Sequence, residues 1–175
     1  MSRLPLQTIE SAPEASRPYL EKALANNGFL PNLVASLANA PTALETYLTV
    51  AGINGRSGLT LAEREAVQIT AVALKKAQLD APVVESIRDQ LPIDNAQLDA
   101  VAVFTRAVIA ARGGVSDEEL NTFRAAGFTD TNALEVVLGV SLATLCNFAN
   151  NLSQNELNPE LAAYRWEPKA KAHAA

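Results

Sequence analysis

The chain of 175 residues has very few of the side chains that carry redox or metal chemistry. It contains one cysteine, Cys146, and one histidine, His173. A single cysteine excludes an internal disulfide and also excludes a dithiol redox centre within one chain. No set of His, Cys, Asp and Glu appears at metal-ligand spacing. The sequence therefore predicts no metal site and no cofactor.

A basic stripe and a long apolar run are also missing. The 14 basic residues are scattered among 19 acidic ones, for a formal net charge of −5, which argues against a nucleic-acid partner. No positively charged segment followed by an apolar run opens the chain, and no stretch of about 18 uninterrupted apolar residues occurs. We therefore expect a cytoplasmic protein with neither a signal peptide nor a membrane partner.

Aromatic residues make up only 5% of the chain, whereas hydrophobic residues make up 49%, with alanine and leucine dominant. This composition favours helices that pack closely through small side chains, and no strand pattern competes with it. The length suits one domain with a full core. We predict an all-α, single-domain helical bundle over residues 1–166, with residues 167–175 as a disordered tail.

Three capping boxes mark helix starts. In this motif a hydroxyl or carboxylate oxygen accepts a hydrogen bond from the backbone N–H of the residue three positions later. The side chain of that later residue in turn accepts a hydrogen bond from the backbone N–H of the first residue. The pairs are Thr60 with Glu63, Asp94 with Gln97, and Ser116 with Glu119. Proline, glycine and helical periodicity complete a set of seven or eight helices. The predicted helices are 14–26, 31–39, 41–54, 60–78 beginning at Leu61, 81–90, 95–111, one after Ser116 that ends near Ala126, and 131–151.

Two of these helices organise the prediction. Helix 131–151 is apolar nearly all round, so we expect it to be central or to lie at a subunit interface, with helix 60–78 beside it. In helix 60–78, Glu63, Arg64 and Gln68 are expected to point away from the packed face, and Glu65 lies near its edge. The residues of the packed face are Ala66, Val67, Thr70, Ala73, Leu74 and Ala77.

Residues 59–71, with the sequence Leu-Thr-Leu-Ala-Glu-Arg-Glu-Ala-Val-Gln-Ile-Thr-Ala, resemble the start of a known motif region. The family is the alkylhydroperoxidase D-like proteins, or carboxymuconolactone decarboxylase superfamily, in its peroxidase-related branch. The resemblance resumes in 104–108, 113–117, 134–140 and 144–150, and covers most of residues 30–166. It implies an all-α homo-oligomer with an antioxidant role, in which a Cys-x-x-Cys pair reduces hydroperoxides and a dithiol reductant protein restores the pair.

The segment that carries this chemistry is missing. In the family, the second glutamate is followed by Cys-x-x-Cys and then by a histidine one helical turn on. Here residues 70–77 read as though the glutamate helix were joined to the later part of the cysteine helix, with roughly four turns removed. A natural deletion, an engineered one and an omitted segment all fit. We expect the chain as it stands to be inactive toward hydroperoxides.

Glu65 is the residue to which the resemblance assigns catalysis, as base or proton relay toward the cysteine pair. By itself, a carboxylate on a helix flank near Arg64 is an ordinary solvated group. Cys146 matches neither family cysteine and lies in an apolar run, so we expect it in the core and inert. His173 lies in a small-residue tail without a positioned partner. Asn151 stands close to where relatives often have histidine.

Two other functions stay open at this stage. One is a non-catalytic helical oligomer that binds a small ligand or a partner through the vacated pocket. The other is the lactone decarboxylase chemistry of the wider superfamily, which needs polar groups that the sequence does not identify.

Overall fold

The computed structural model describes residues 2–75 and 96–164, and within these ranges every regular element is a helix. The prediction of an all-α fold is confirmed. The helices are α1 (Arg17–Asn27), α2 (Asn32–Leu37), α3 (Pro41–Asn54), α4 (Leu61–Lys75), α5 (Ala96–Ala110), α6 (Asp117–Ala125) and α7 (Asp130–Ser153), with short 3-10 helices at Glu14–Ser16 and Pro159–Tyr164. The predicted helix 81–90, the residue Asp94 and the tail 167–175 lie outside the described residues.

Two of the predicted capping boxes begin helices as expected. At the start of α4, the backbone N–H of Thr60 donates to Glu63 Oε2 at 2.6 Å, and that of Glu63 donates to Thr60 Oγ1 at 3.3 Å. At the start of α6, Ser116 and Glu119 make the same reciprocal pair at 2.8 and 3.2 Å. Each pair satisfies two N–H groups that have no partner within the helix.

A third reciprocal cap begins α7 and was not anticipated from the sequence. The N–H of Thr129 donates to Asn132 Oδ1 at 3.0 Å, and the N–H of Asn132 donates to Thr129 Oγ1 at 3.2 Å. Asparagine takes the place of the usual glutamate or glutamine, and its side-chain oxygen plays the same accepting role. The helix consequently begins at Asp130, one residue before the predicted start.

The chain divides into two compact units. The first consists of Met1–Glu45 and Ala149–Ala175. Side-chain amides connect its two chain segments: Asn158 Oδ1 accepts from the N–H of Asn32 at 2.8 Å, and Asn158 Nδ2 donates to the Leu30 carbonyl at 3.1 Å. The N–H of Arg3 also donates to the Ser153 carbonyl at 2.6 Å. These hydrogen bonds satisfy backbone N–H and C=O groups that have no partner within a helix.

The second unit, Thr46–Phe148, has a core between α4, α5, α6 and α7. Its centre is a stack of three phenylalanine rings, although the chain has only five such residues. The ring centroids of Phe104 and Phe123 are 4.2 Å apart, and those of Phe123 and Phe128 are 4.4 Å apart. The scarce large side chains are thus concentrated where α5 meets α6, and small residues fill the remaining contacts.

Helix α7 has one buried side and one exposed side. Val136 and Ala143 are buried, whereas Leu134 is 72% exposed and Phe148 is 64% exposed. Among the described helices, α7 is the one that could cross a membrane by length and composition alone. The sequence criterion of an uninterrupted apolar run had not selected it, because Glu135 and several polar side chains interrupt the run.

Candidate functional site on helix α4

The polar side chains in the first turn of α4 serve the structure of the helix. Glu63 was expected to point away from the packed face, and this is wrong: its side chain is 8% exposed because it turns back to cap Thr60. Arg64 donates from Nη1 to the carbonyl of Leu59. Both side chains therefore stabilise the turn that begins α4, as the capping prediction for Glu63 requires.

Helix α4 approaches α7 closely at Gly139. A Cβ atom at this position would lie 2.8 Å from Cγ1 of Val67, which is closer than carbon atoms tolerate. Gln68 Nε2 donates to the Gly139 carbonyl at 3.0 Å. Gln68 was expected on the other side of the helix, and its contact with α7 corrects that prediction. The absence of a side chain at Gly139 therefore decides where α4 lies against α7.

Glu135 connects α7 to the loop before α4. Its Oε1 accepts from the N–H of Gly58 at 2.6 Å, and its Oε2 accepts from Asn132 Nδ2 at 3.0 Å. The sequence analysis did not single out this residue. The available signal was a carboxylate at the start of the uncharged stretch 136–155, since such a group needs partners when it is partly buried.

Glu65, the predicted proton relay, is exposed on α4. It precedes Val67 by two residues, about 200° around the helix, but it precedes Gln68 by three, about 60°, and both Val67 and Gln68 meet Gly139. Glu65 therefore lies at the solvent-facing flank of the α4–α7 contact. A group that approaches from solvent can reach its carboxylate.

Cys146, on α7, is half-buried and not fully enclosed as the core prediction had it. Burial raises the pKa of its thiol to about 11. At neutral pH about one molecule in ten thousand would carry the thiolate, which is the reactive form. Tyr47 also has a raised pKa, caused by its burial and then by the neighbouring Cys146 thiolate. These directions agree with the prediction that Cys146 is inert.

The structure does not assemble the residues that the sequence singled out. Cys146 lies seven residues beyond Gly139, which is roughly 10 Å further along α7, while Glu65 is exposed at the flank of the α4–α7 contact. Asn151 is exposed, and His173 lies outside the described residues. In residues 2–75 and 96–164, no group of three or more His, Cys, Asp or Glu side chains could hold a metal ion. That the chain takes no metal or cofactor stays a prediction.

Helix α4 runs without interruption through Thr70 and Ala71 to Lys75, and both Thr70 and Ala71 are buried. That a segment with the family's cysteines is missing at this position stays a prediction from the resemblance.

Comparison with solved structures identifies the fold. No protein-family model matches the chain, and a search of curated proteins gives no match. Among solved structures, the chain is similar to the alkylhydroperoxidase AhpD core of an uncharacterized peroxidase-related protein from Ralstonia eutropha JMP134. The TM-score is 0.76 at 23% identity, over 91% of this chain and 93% of that one.

A second similar structure is an uncharacterized peroxidase-related protein from Silicibacter sp. TM1040. The TM-score is 0.71 at 18% identity, over 90% of this chain and 91% of that one. At such identities the likeness establishes the fold. The predicted alkylhydroperoxidase D-like fold is confirmed, and it is the fold of proteins described as peroxidase-related. Within this fold, α7 packs against α4 at Gly139.

Proposed function

We propose that this chain is a peroxidase-related protein of the alkylhydroperoxidase D-like family whose hydroperoxide-reducing segment is absent, so that the chain itself does not turn over hydroperoxides. The observation that carries the proposal is the state of its one thiol. Cys146 is half-buried with a pKa of about 11, and it lies roughly 10 Å along α7 from the Gly139 contact at whose flank the family's candidate base, Glu65, is exposed.

Reduction of hydroperoxides by the family's Cys-x-x-Cys pair requires two thiols. A thiolate attacks the peroxide, the O–O bond breaks, an alcohol leaves, and the sulfur becomes a sulfenic acid. A second thiol then condenses with the sulfenic acid, releasing water and forming a disulfide. A dithiol reductant, such as a reductant protein, restores both thiols. This chain could complete neither the attack at a useful rate nor the resolution step within one molecule.

Peroxide consumption coupled to dithiothreitol tests the proposal. Intact mass comes first, because an omitted segment of about fifteen residues would add roughly 1.5 kDa to the 18.5 kDa of this chain. We expect no turnover of tert-butyl hydroperoxide by this chain. We expect turnover by a variant with a Cys-x-x-Cys-x-x-x-His segment inserted between Thr70 and Ala71.

The matched control is the same insertion with serine at both cysteine positions, which keeps the added length and removes both thiols. Turnover by the unmodified chain that disappears in Cys146→Ser would overturn the proposal. A Glu65→Gln variant of the active insertion protein tests the proton-relay role, since a general base contributes about 10²–10⁴-fold to the rate.

A second candidate function is a non-catalytic helical homo-oligomer that binds a small ligand or a partner. The observation that favours it is an exposed stripe on α7, formed by Leu134, Val137, Ser141, Thr144 and Phe148. The hydroxyls of Ser141 and Thr144 donate to carbonyls of their own helix, so the stripe has little unmet polarity. Its three- and four-residue spacing suits pairing with another helix.

We take a second copy of the chain as the occupant of this stripe. No charged residue occurs between Glu135 and Glu156, so two copies of the face would meet without like-charge repulsion. A cytoplasmic location and the absence of nucleic-acid and membrane partners complete the proposal, and rest on the charge distribution and the fold. Lactone decarboxylase chemistry gains no support from the described residues, which place no acid–base pair on the α4–α7 contact.

A further inference from the structure

The exposed stripe of α7 runs from Leu134 to Phe148 in alternating steps of three and four residues. This is the spacing of a seam along which two helices pack side by side, with their axes crossing at roughly 20°. The side of α7 that packs within the chain carries other residues, among them the buried Val136 and Ala143. Leu134 is 72% exposed and Val137 is 42% exposed. The stripe is therefore a second packing side of α7, and it is open to solvent over these two residues.

The order of large and small side chains along the stripe suits pairing with a reversed copy of itself. Ser141 and Thr144, in its middle, direct their hydroxyls to carbonyls of their own helix at 2.9 and 2.7 Å, so they need no polar partner on another chain. An antiparallel copy with Ser141 against the partner's Thr144 places Val137 against the partner's Phe148, at both ends of the contact. A large ring then meets a medium-sized side chain twice, whereas a parallel copy would set ring against ring and valine against valine.

The charge of Glu135, next to the stripe, also separates the two orientations. Both hydrogen-bond partners of its carboxylate, the Gly58 N–H and the Asn132 amide, are neutral. A parallel copy would hold the two Glu135 carboxylates roughly one interaxial distance apart, about 10 Å, where salt screens their repulsion only in part. The antiparallel register separates them by roughly 22 Å along the helix axis, more than two Debye lengths at physiological salt. The stretch 136–155 of the partner, which then lies opposite, carries no charge.

We infer that two copies of the chain pair through α7 in antiparallel orientation, about a two-fold axis that passes between Ser141 and Thr144. Val137 of each copy packs on Phe148 of the other, so one patch serves both copies, as a two-fold contact requires. The inference rests on the second candidate function, because it takes a second copy as the occupant of the stripe. It adds the direction and the register of the pairing.

Disulfide trapping tests the register. In a Cys146→Ala background, one chain carries Val137→Cys and another, distinguished by a size tag, carries Phe148→Cys. A disulfide needs Cα atoms within about 7 Å, and the antiparallel register keeps each substituted position roughly 16 Å along the axis from its own counterpart. After the mixture equilibrates in a glutathione redox buffer, we expect the mixed disulfide to exceed each homodisulfide at least tenfold. Leu61→Cys, exposed on α4 outside the stripe, is the control for random collision.

A spin-label distance at Leu134→Cys, again in the Cys146→Ala background, tests the direction without altering Val137 or Phe148. We expect about 25 Å between the two labelled positions, whereas a parallel pair would give about 10 Å. Dominant homodisulfides or the shorter distance would overturn the inference and leave the second-copy proposal intact. Trapping no better than that of Leu61→Cys would also overturn it if the native chain sediments as an oligomer. The same result with a monomeric native chain would overturn both proposals.

Discussion

Gly139 lies so close to Val67 that its second α-hydrogen cannot be replaced by a methyl group without disturbing the packing of α4 against α7. A methyl group at Gly139 would lie 2.8 Å from Val67 Cγ1. We expect Gly139→Ala to lower the free energy of unfolding by about 1 to 2 kcal/mol, because the cost of overpacking exceeds the gain in helix propensity. Urea denaturation followed by circular dichroism measures the change.

Gly52 on α3 provides the control, because a Cβ there meets nothing within 4 Å. Gly52→Ala should be neutral or stabilise by up to about 1 kcal/mol. Val67→Ala in the Gly139→Ala background should recover part of the loss, which would appear as a coupling energy in a double-mutant cycle. Identical effects of the two glycine variants would show that α4 and α7 are not in contact at this point.

The thiol of Cys146 predicts a pH dependence of stability. Burial raises its pKa in the folded chain from 9.0 to about 11. Below pH 9 both the folded and the unfolded thiol are protonated, and stability does not depend on this group. Between these two values the unfolded thiol ionises while the folded one does not, so the free energy of unfolding falls as pH rises.

Urea midpoints measured at about pH 8 and about pH 10 check this prediction. The difference between the two should be larger for the native chain than for Cys146→Ala, which lacks the thiol but retains Tyr47 and the other titrating groups. Folded Cys146 should also react with iodoacetamide far more slowly than glutathione at pH 8. A rate equal to that of glutathione would mean that the thiol is accessible and its pKa ordinary.

For single residues, the sequence predicted helix caps correctly but did not predict contacts between residues that are far apart in the chain. Thr60 and Glu63 are three residues apart, and their cap follows from spacing alone. The contacts of Gln68 with Gly139 and of Glu135 with Gly58 join residues more than 70 positions apart, so no local pattern contains them. Their geometry depends on how α4 and α7 pack, which periodicity does not determine.

Among the helices, α6 shows most clearly how a local cap determines where a helix forms. It has nine residues, so its isolated stability is marginal, and its start depends on the Ser116–Glu119 box. We expect Ser116→Ala to destabilise the protein by about 1 kcal/mol. The backbone N–H of Glu119 would lose its acceptor, and the Glu119 carboxylate, which accepts from the N–H of Ser116, would lose the hydroxyl that helps to hold it in place. Thermal unfolding followed by circular dichroism measures this change.

Thr49→Ala on α3 is the control, since Thr49 is exposed within a helix and lies outside the α7 stripe. It should change stability by less than about 0.5 kcal/mol. If Ser116→Ala changed the stability as little as the control does, the capping box would not stabilise α6.

The helix boundaries show what sequence periodicity determines and what it does not. The prediction for α3, 41–54, agrees with the structure, because Pro41 and Gly55 mark both ends. The predicted helix 14–26 begins instead with a 3-10 turn at Glu14–Ser16, and α1 starts at Arg17. Pro18 accounts for the start of α1, because a residue without an N–H suits the first turn of a helix and not its interior. The preceding Ser16 is buried, and its hydroxyl donates to the Ala38 carbonyl.

At the scale of the whole molecule, the exposed stripe of α7 predicts self-association. We expect the chain to sediment as a homo-oligomer at micromolar concentration, and Leu134→Glu combined with Phe148→Glu to shift it toward 18.5 kDa. A buried carboxylate in each of two facing helices would be unpaired and would repel its counterpart. Analytical ultracentrifugation of native and variant chains measures the shift.

Leu61→Glu serves as the control, because Leu61 is 67% exposed on α4 and lies outside the stripe. It should leave the oligomer intact. A native chain that stays monomeric would contradict the prediction, and dissociation by Leu61→Glu as well as by the stripe variants would place the interface elsewhere.

The unit formed by Met1–Glu45 and Ala149–Ala175 also sets an order of events during synthesis. Asn32 emerges from the ribosome 126 residues before Asn158, the residue that completes its hydrogen bond. The bonds that join the first 45 residues to the end of the chain therefore form only after nearly the whole chain has been made, and they close a long loop at an entropic cost. The described core residues around Phe104 and Phe123 all lie within the Thr46–Phe148 segment, which does not depend on that closure. A ribosome that stalls shortly before Asn158 would accordingly carry a chain whose middle can fold while its beginning still lacks the bonds to Asn158.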